Sequence, residues 1–306
     1  MKVLPVRHSE SHTGRGIILP ALFLMAFVCS CANSRFATGP ETSDIEALPG
    51  YRGHIQVVEY PCSEPALSKR RMVVYLPHGY NENTSRRYPV LYLLHGARGN
   101  EVTWIERGDA FHTLDSLSLE GRVKDFIVVM PNLNNYCSDK EYRNGHPVNA
   151  LRAFWMIDGE TEVHFMYDVV SRVDSLYRTI PEKSARAIAG MSTGGLQALY
   201  LSANNPDTFD YIGLFSPYTR DFIFGLRHPE FYGGLYRKLG IQFRDPPKYY
   251  CMMIGTSDIF YPEMKSFDRS LTRRGYGHDF VVTSGGHKWI NWRKYLIGFY
   301  QKAFQD

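Results

Sequence analysis

Seven short apolar runs punctuate the chain from Met72 onward: Met72 to Leu76, Val90 to Leu94, Phe126 to Met130, Ala185 to Ala189, Tyr211 to Phe215, Tyr249 to Ile254 and Phe280 to Thr283. Most are apolar at both alternating sets of positions, which predicts strands covered on two faces rather than strands with a wet side. Between the third and fourth runs, Met166, Val169, Val170, Val173, Leu176 and Tyr177 recur at helical spacing, so an amphipathic helix is predicted over Glu162 to Tyr177. Further helices are predicted at Leu196 to Ala203, Pro262 to Arg274 and Trp289 to Phe304. Strands alternating with helices are the mark of βα units and a mostly parallel sheet. No repeat, low-complexity stretch or internal linker interrupts the rhythm, so one α/β domain with helices on both faces is expected.

The first fifty residues follow a different pattern. Residues 1–16 are polar and net basic, Ile17 to Val28 are apolar, and small or polar residues follow. That is the layout of a secretory signal, and the apolar run is shorter than the roughly 20 residues a bilayer span needs. Val28-Cys29-Ser30-Cys31 resembles the lipobox of bacterial lipoproteins, in which cleavage precedes a cysteine that becomes lipidated. The expectation is a signal peptide over 1–30, lipidation at Cys31, and export to the cell envelope with a lipid anchor in a bacterial membrane, the outer one where there are two. An ordinary secreted protein cleaved nearby is the alternative. Residues 31–50 are poor in large apolar side chains and read as a flexible tether, with a catalytic domain over 51–306.

Composition narrows the function classes. The chain is 44% hydrophobic and 22% charged, as a soluble globular protein is, and 306 residues suffice to bury a core without staples. Of the formal +4, Lys2, Arg7 and Arg15 against Glu10 fall in the expected signal, so the mature chain is closer to neutral. Lys69-Arg70-Arg71 is the only notable basic cluster and is placed at a strand edge, so no nucleic-acid partner is expected. After processing, Cys62, Cys137 and Cys251 remain; an odd number with these spacings suits neither a disulfide framework nor a zinc site, and no metal is expected.

The chemistry starts at Gly190-Met191-Ser192-Thr193-Gly194-Gly195, which follows a predicted strand and precedes a predicted helix. This is G-x-S-x-G in the strand-turn-helix context of a nucleophile elbow. A turn so sharp strains the serine backbone and needs neighbours nearly free of side chain. It lifts the Ser192 hydroxyl to the carboxyl end of the sheet, where the helix N-terminus faces developing negative charge.

In such a layout an acid follows a later strand and a histidine follows the last one. Of eleven histidines, His228, His278 and His287 lie beyond Ser192. His278 precedes the last strand, whereas His287 follows it in Ser284-Gly285-Gly286-His287, so His287 is the expected general base. Asp258, in Gly255-Thr256-Ser257-Asp258 after Tyr249 to Ile254, is the expected acid; Asp268 falls within a helix and Asp279 opens a strand. Two N–H donors are needed for an oxyanion. Thr193 supplies one and Ala97, in His95-Gly96-Ala97-Arg98-Gly99 after Val90 to Leu94, the other. His95 is read as a structural residue that fixes this loop. Trp104, Trp289 and Trp292 are read as core residues, and residues 99–106, 132–158 and 217–244 as the candidate pocket walls.

Five separated segments now stand in order: Tyr75-Leu76-Pro77 with Gly79-Tyr80, Tyr88 to Gly96, Val128 to Asn132, Ala187 to Ser192, and Gly285 to Trp289. On them the chain resembles the esterase D-like branch of α/β-hydrolases, which holds feruloyl and acetyl xylan esterases, S-formylglutathione hydrolases and mycolyltransferases. The resemblance implies the α/β-hydrolase fold, the same triad and oxyanion donors, and no metal or organic cofactor. Thr193, where the family usually has Met, and Ala97-Arg98, where many relatives have further glycines, depart from the pattern. With export, it implies a serine esterase acting on acetyl or feruloyl esters of plant polysaccharides such as xylan, with a small-molecule or oligosaccharide ester as its partner. An acyltransferase to a sugar and a non-catalytic carbohydrate-binding relative stay open.

Overall fold

Strand residues that are apolar on both sides need helices on both sides, and the fold is built around that demand. The computed structural model describes residues 45, 48, 50–63, 69–97, 99–133, 159–219 and 228–305. The expected signal, Cys31, most of the tether, Cys137, Arg98 and the stretches 134–158 and 220–227 lie outside them. Eight strands form one sheet in the order β1-β2-β4-β3-β5-β6-β7-β8. They are β1 (His54–Pro61), β2 (Lys69–Leu76), β3 (Val90–Leu94), β4 (Ile127–Pro131), β5 (Arg186–Met191), β6 (Tyr211–Phe215), β7 (Tyr249–Gly255) and β8 (Asp279–Thr283). β1 and β2 pair antiparallel, as do β2 and β4, and every other pairing is parallel. The carboxyl ends of β3 to β8 therefore share one edge of the sheet, and the loops that leave it converge there.

Each face of the sheet has its own core. Along β3, Val90, Tyr92 and Leu94 join one cluster and Leu91 and Leu93 the other, as the two-residue period of a strand requires. The first cluster is closed by α3 (Glu160–Phe165), α4 (Arg172–Leu176), α5 (Thr193–Asn204), α6 (Pro229–Tyr232), α7 (Leu235–Gln242) and α8 (Tyr261–Arg273). The second is closed by α1 (Thr103–Glu106), α2 (Ala110–Leu119) and α9 (Trp289–Tyr300). Ile45 is also buried in this second cluster, so the end of the segment read as a tether packs on the domain.

Three points of the sequence reading need correction. β1 went unrecognised because its residues, HIQVVEYP, mix polar and apolar positions; it is an edge strand that needs only its partner, paired from His54 with Leu76 to Pro61 with Lys69. The predicted helix over 162–177 begins at Glu160 and contains a π-helical stretch, Met166–Ser171. The wider turn rotates the following face, which leaves Leu176 about half exposed at 52%. β8 carries exposed Val281 and Val282 because it is the other edge. Lys69-Arg70-Arg71 opens β2, at the strand edge expected for it. Lys69 pairs with Glu59, Arg70 is buried, and Arg71 pairs with Glu101.

Candidate active site

Ser192 sits immediately past β5, a central strand, and opens α5. Its backbone has φ 54° and ψ −118°, a region that a non-glycine residue occupies only when its surroundings force it. The forcing comes from close approach. A Cβ on Gly190 would lie 2.4 Å from the Gly194 backbone, and one on Gly194 would lie 2.4 Å from the carbonyl oxygen of His95. The Ser192 N–H donates to Phe215 O at 2.8 Å, and its own carbonyl accepts Leu196 N–H at 3.1 Å as the first turn of α5. The hydroxyl is thus held above the sheet edge by backbone geometry.

Asp258 and His287 arrive at that edge from the next strands but one and two. The loops that carry them are sewn together: Thr256 N–H donates to Thr283 O at 2.8 Å, and Ser257 N–H donates to Gly285 O at 2.9 Å. His287 Nδ1 lies 2.9 Å from Asp258 Oδ2, and His287 Nε2 lies 3.0 Å from Ser192 Oγ. A carboxylate can only accept, so the ring proton sits on Nδ1 and Nε2 is left to accept from the serine hydroxyl. Asp258 is 3% exposed, and its second oxygen accepts the Phe260 N–H at 3.0 Å. The imidazole is also buried between aromatic edges, with Phe260 at 5.3 Å and Trp292 at 4.8 Å between ring centroids.

The donors expected for an oxyanion lie on neighbouring segments. Thr193 is the first residue of α5, where N–H groups have no intrahelical acceptor. The loop after β3 presses on the elbow from the other side: a Cβ on Gly96 would meet the Met191 sulfur at 2.9 Å. Ala97 follows directly. His95 is 3% exposed; its Nε2 accepts Leu133 N–H at 3.0 Å and its Nδ1–H donates to Gly96 O at 2.8 Å. Burial pushes its pKa down to about 4. It is therefore a neutral brace of the loop.

The rival groups are engaged elsewhere. His278 bridges Asp268 and the Tyr276 carbonyl, and His228 lies between Glu160 and Glu230. Asp279 is exposed at the start of β8. Trp104 and Trp292 are each 1% exposed, and the Trp104 indole N–H donates to Leu94 O at 2.9 Å, while Trp289 is only partly buried, beneath Arg107 at 5.4 Å. Cys251 is buried in β7, where desolvation pushes its thiol up to about 12, so it is no nucleophile. Among the described residues no group of three or more His, Cys, Asp or Glu is arranged to hold a metal.

Residues 63–249, more than half of the chain, match the Esterase family. The chain belongs to that family. The match covers the loop after β3 and the elbow, and it ends before Asp258 and His287, which the fold itself brings to Ser192. Over 258 residues the esterase chain is 29% identical to an endo-1,4-beta-xylanase/feruloyl esterase of Xylanibacter ruminicola, covering 83% of this chain and 32% of that protein. It spans about a third or less of the length of the curated relatives it matches. Among solved structures, a ferulic acid esterase from the anaerobic fungus Anaeromyces mucronatus superposes with a TM-score of 0.62 at 24% identity, over 88% of this chain and 97% of that one. An S-formylglutathione hydrolase from Staphylococcus aureus superposes with a TM-score of 0.62 at 18% identity, over 84% and 100%. Both share the α/β-hydrolase fold described above.

Several residues that shape the site escaped the sequence reading. Asn291 is 3% exposed, and its side-chain amide donates to Gly286 O at 2.9 Å, steadying the loop of His287. Phe260 caps the imidazole and anchors Asp258. Glu101 and Asn132, both fully buried, lie behind the loop of Ala97. A polar residue within a few positions of each motif was the available signal, yet such residues are common at loop ends.

Proposed function

We propose that this chain is a serine carboxylesterase in which Ser192 is the nucleophile, His287 the general base and Asp258 the residue that orients it. The observation that supports it is the continuous relay from Asp258 through His287 to Ser192, with links of 2.9 and 3.0 Å, at the carboxyl edge of the sheet. Ser192 Oγ attacks the ester carbonyl carbon while its proton passes to His287 Nε2. The carbonyl electrons move onto oxygen, where the N–H groups of Ala97 and Thr193 receive the charge. Collapse breaks the bond to the alcohol, which leaves with the proton from His287. Water repeats the sequence on the acyl-enzyme and releases the acid and free Ser192. No step calls on a cofactor.

The substrates in this reading are acetyl or feruloyl esters on plant polysaccharides such as xylan. The name of the Xylanibacter ruminicola relative, which couples a xylanase to a feruloyl esterase, supports that class. The purified chain is expected to release ferulate or acetate from substituted xylo-oligosaccharides, and Ser192→Ala to lower turnover by about 10⁴-fold or more with the fold retained. Turnover of S-formylglutathione alone would overturn the substrate class.

The reading includes export with a lipid on Cys31, supported by the basic, apolar and small-residue order of residues 1–31. Among the described residues no helix is long and apolar enough to cross a membrane. Expressed in a bacterium, the chain is expected in the detergent-extractable membrane fraction, and Cys31→Ser to lose that partition. A wild-type chain that is wholly soluble contradicts the anchor and leaves the chemistry untouched.

A further inference from the structure

Behind the Gly96–Ala97 peptide lies a buried charged cluster that the cycle above does not use. Glu101, 0% exposed, pairs through Oε1 with Arg71 Nη2 at 2.6 Å and accepts the Asn132 side-chain amide on Oε2 at 2.7 Å. Asn132, also 0% exposed, donates its backbone N–H to Arg71 O at 3.0 Å, and its carbonyl accepts Arg70 Nη1 at 3.4 Å. A buried ion pair contributes little net stability, because desolvation offsets most of the attraction. What such a pair does supply is fixed direction, since carboxylate, guanidinium and amide each bond along set axes.

That direction is passed on through covalent neighbours. Leu133 follows Asn132, and its N–H donates to His95 Nε2 at 3.0 Å. Because Nε2 accepts, the imidazole proton is on Nδ1, which donates to Gly96 O at 2.8 Å. The Gly99 N–H bonds the same oxygen at 3.0 Å. Gly96 O and Ala97 N–H belong to one planar trans peptide, in which the two groups point in opposite directions. Two donors gripping the carbonyl therefore set the line along which the Ala97 N–H points. The peptide has no room to slide on its elbow side, where the Met191 side chain and carbonyl oxygen lie within 3.2 Å of the position a Gly96 Cβ would take.

We propose that Arg71, Glu101 and Asn132 are positioning residues for the oxyanion donor on Ala97, acting through Leu133 and the tautomer of His95. This rests on the esterase reading and deepens it: the ion pair holds Leu133, Leu133 selects the imidazole proton, and the imidazole aims the peptide.

The test combines Glu101→Gln, His95→Ala and His95→Asn with kinetics on p-nitrophenyl acetate and binding of a trifluoromethyl ketone, whose serine adduct carries an oxyanion. Glu101→Gln is expected to lower kcat about 10-fold and His95→Ala about 100-fold, with KM within about twofold. His95→Asn, whose amide can still donate to Gly96 O, is expected to recover about 10-fold over alanine. Ketone affinity falls in step with kcat, which a merely structural role would not produce. Wild-type kcat or unchanged ketone affinity in Glu101→Gln overturns the proposal. If Glu101→Gln fails to fold, the two His95 variants decide, and equal kcat in both overturns it. A folded wild type that hydrolyses no ester defeats the esterase reading itself.

Discussion

Ser192 stands in a backbone conformation that L-residues avoid, with φ at 54°. Positive φ at a serine destabilises the fold by about 1–3 kcal/mol and persists only where neighbours over-determine it. The reward is reach: the Oγ clears the sheet edge and meets His287 Nε2. The imidazole in turn depends on Asn291, whose amide holds the Gly286 carbonyl from inside the protein. Asn291→Ala removes that donor and leaves a part-buried carbonyl underpaired. The expected loss is about 1–3 kcal/mol in urea unfolding, with kcat about 10-fold lower and KM little changed. Lowered stability with wild-type kcat would reduce Asn291 to a packing role.

The loops that carry the three side chains can meet because the strands that feed them are parallel and run β5, β6, β7, β8 across the sheet. Much of this order was legible in sequence. Continuous apolar runs such as Val90 to Leu94 and Tyr211 to Phe215 match strands residue for residue, because a strand buried on both faces leaves an unbroken apolar signature. The elbow was legible for a local reason, since its glycines and serine are adjacent in the chain. Features that rest on distant partners were not. β1 is defined by its pairing with β2, and the π-helical stretch changes the phase of a helix without any residue that announces it. Arg70 stands in a short basic cluster placed by sequence only at a strand edge, and it is buried against the carbonyl of Asn132, far along the chain. Hydrophobic period reports which residues go inside; it is silent on which buried charges find one another.

Folding as a unit ties the site to pH through His95. Its ordinary pKa of 6.5 is lowered to about 4, first because burial penalises the charged form and further because Arg70 is near, against a partial offset from Gly96 O. The unfolded chain therefore takes up a proton that the fold refuses, and stability falls as pH drops from 6.5 toward 4, by roughly 3 kcal/mol in full. Above pH 6.5 this contribution is complete and constant. Urea unfolding at pH 7 and pH 4.5 is expected to show a larger loss in wild type than in His95→Asn, which has no proton to gain. Equal losses would mean that His95 is protonated inside the fold, at odds with its acceptance of the Leu133 N–H.

Whether Ser192 is the activated nucleophile can be read directly by labelling with a fluorophosphonate and mapping the adduct by mass spectrometry of proteolytic peptides. Stoichiometric phosphonylation confined to the peptide that contains Ser192, abolished in Ser192→Ala and slowed at least about 100-fold in His287→Ala, is the expected pattern. A folded wild-type chain that stays unlabelled, or that carries the adduct on another serine, would contradict the assignment on which the mechanism stands.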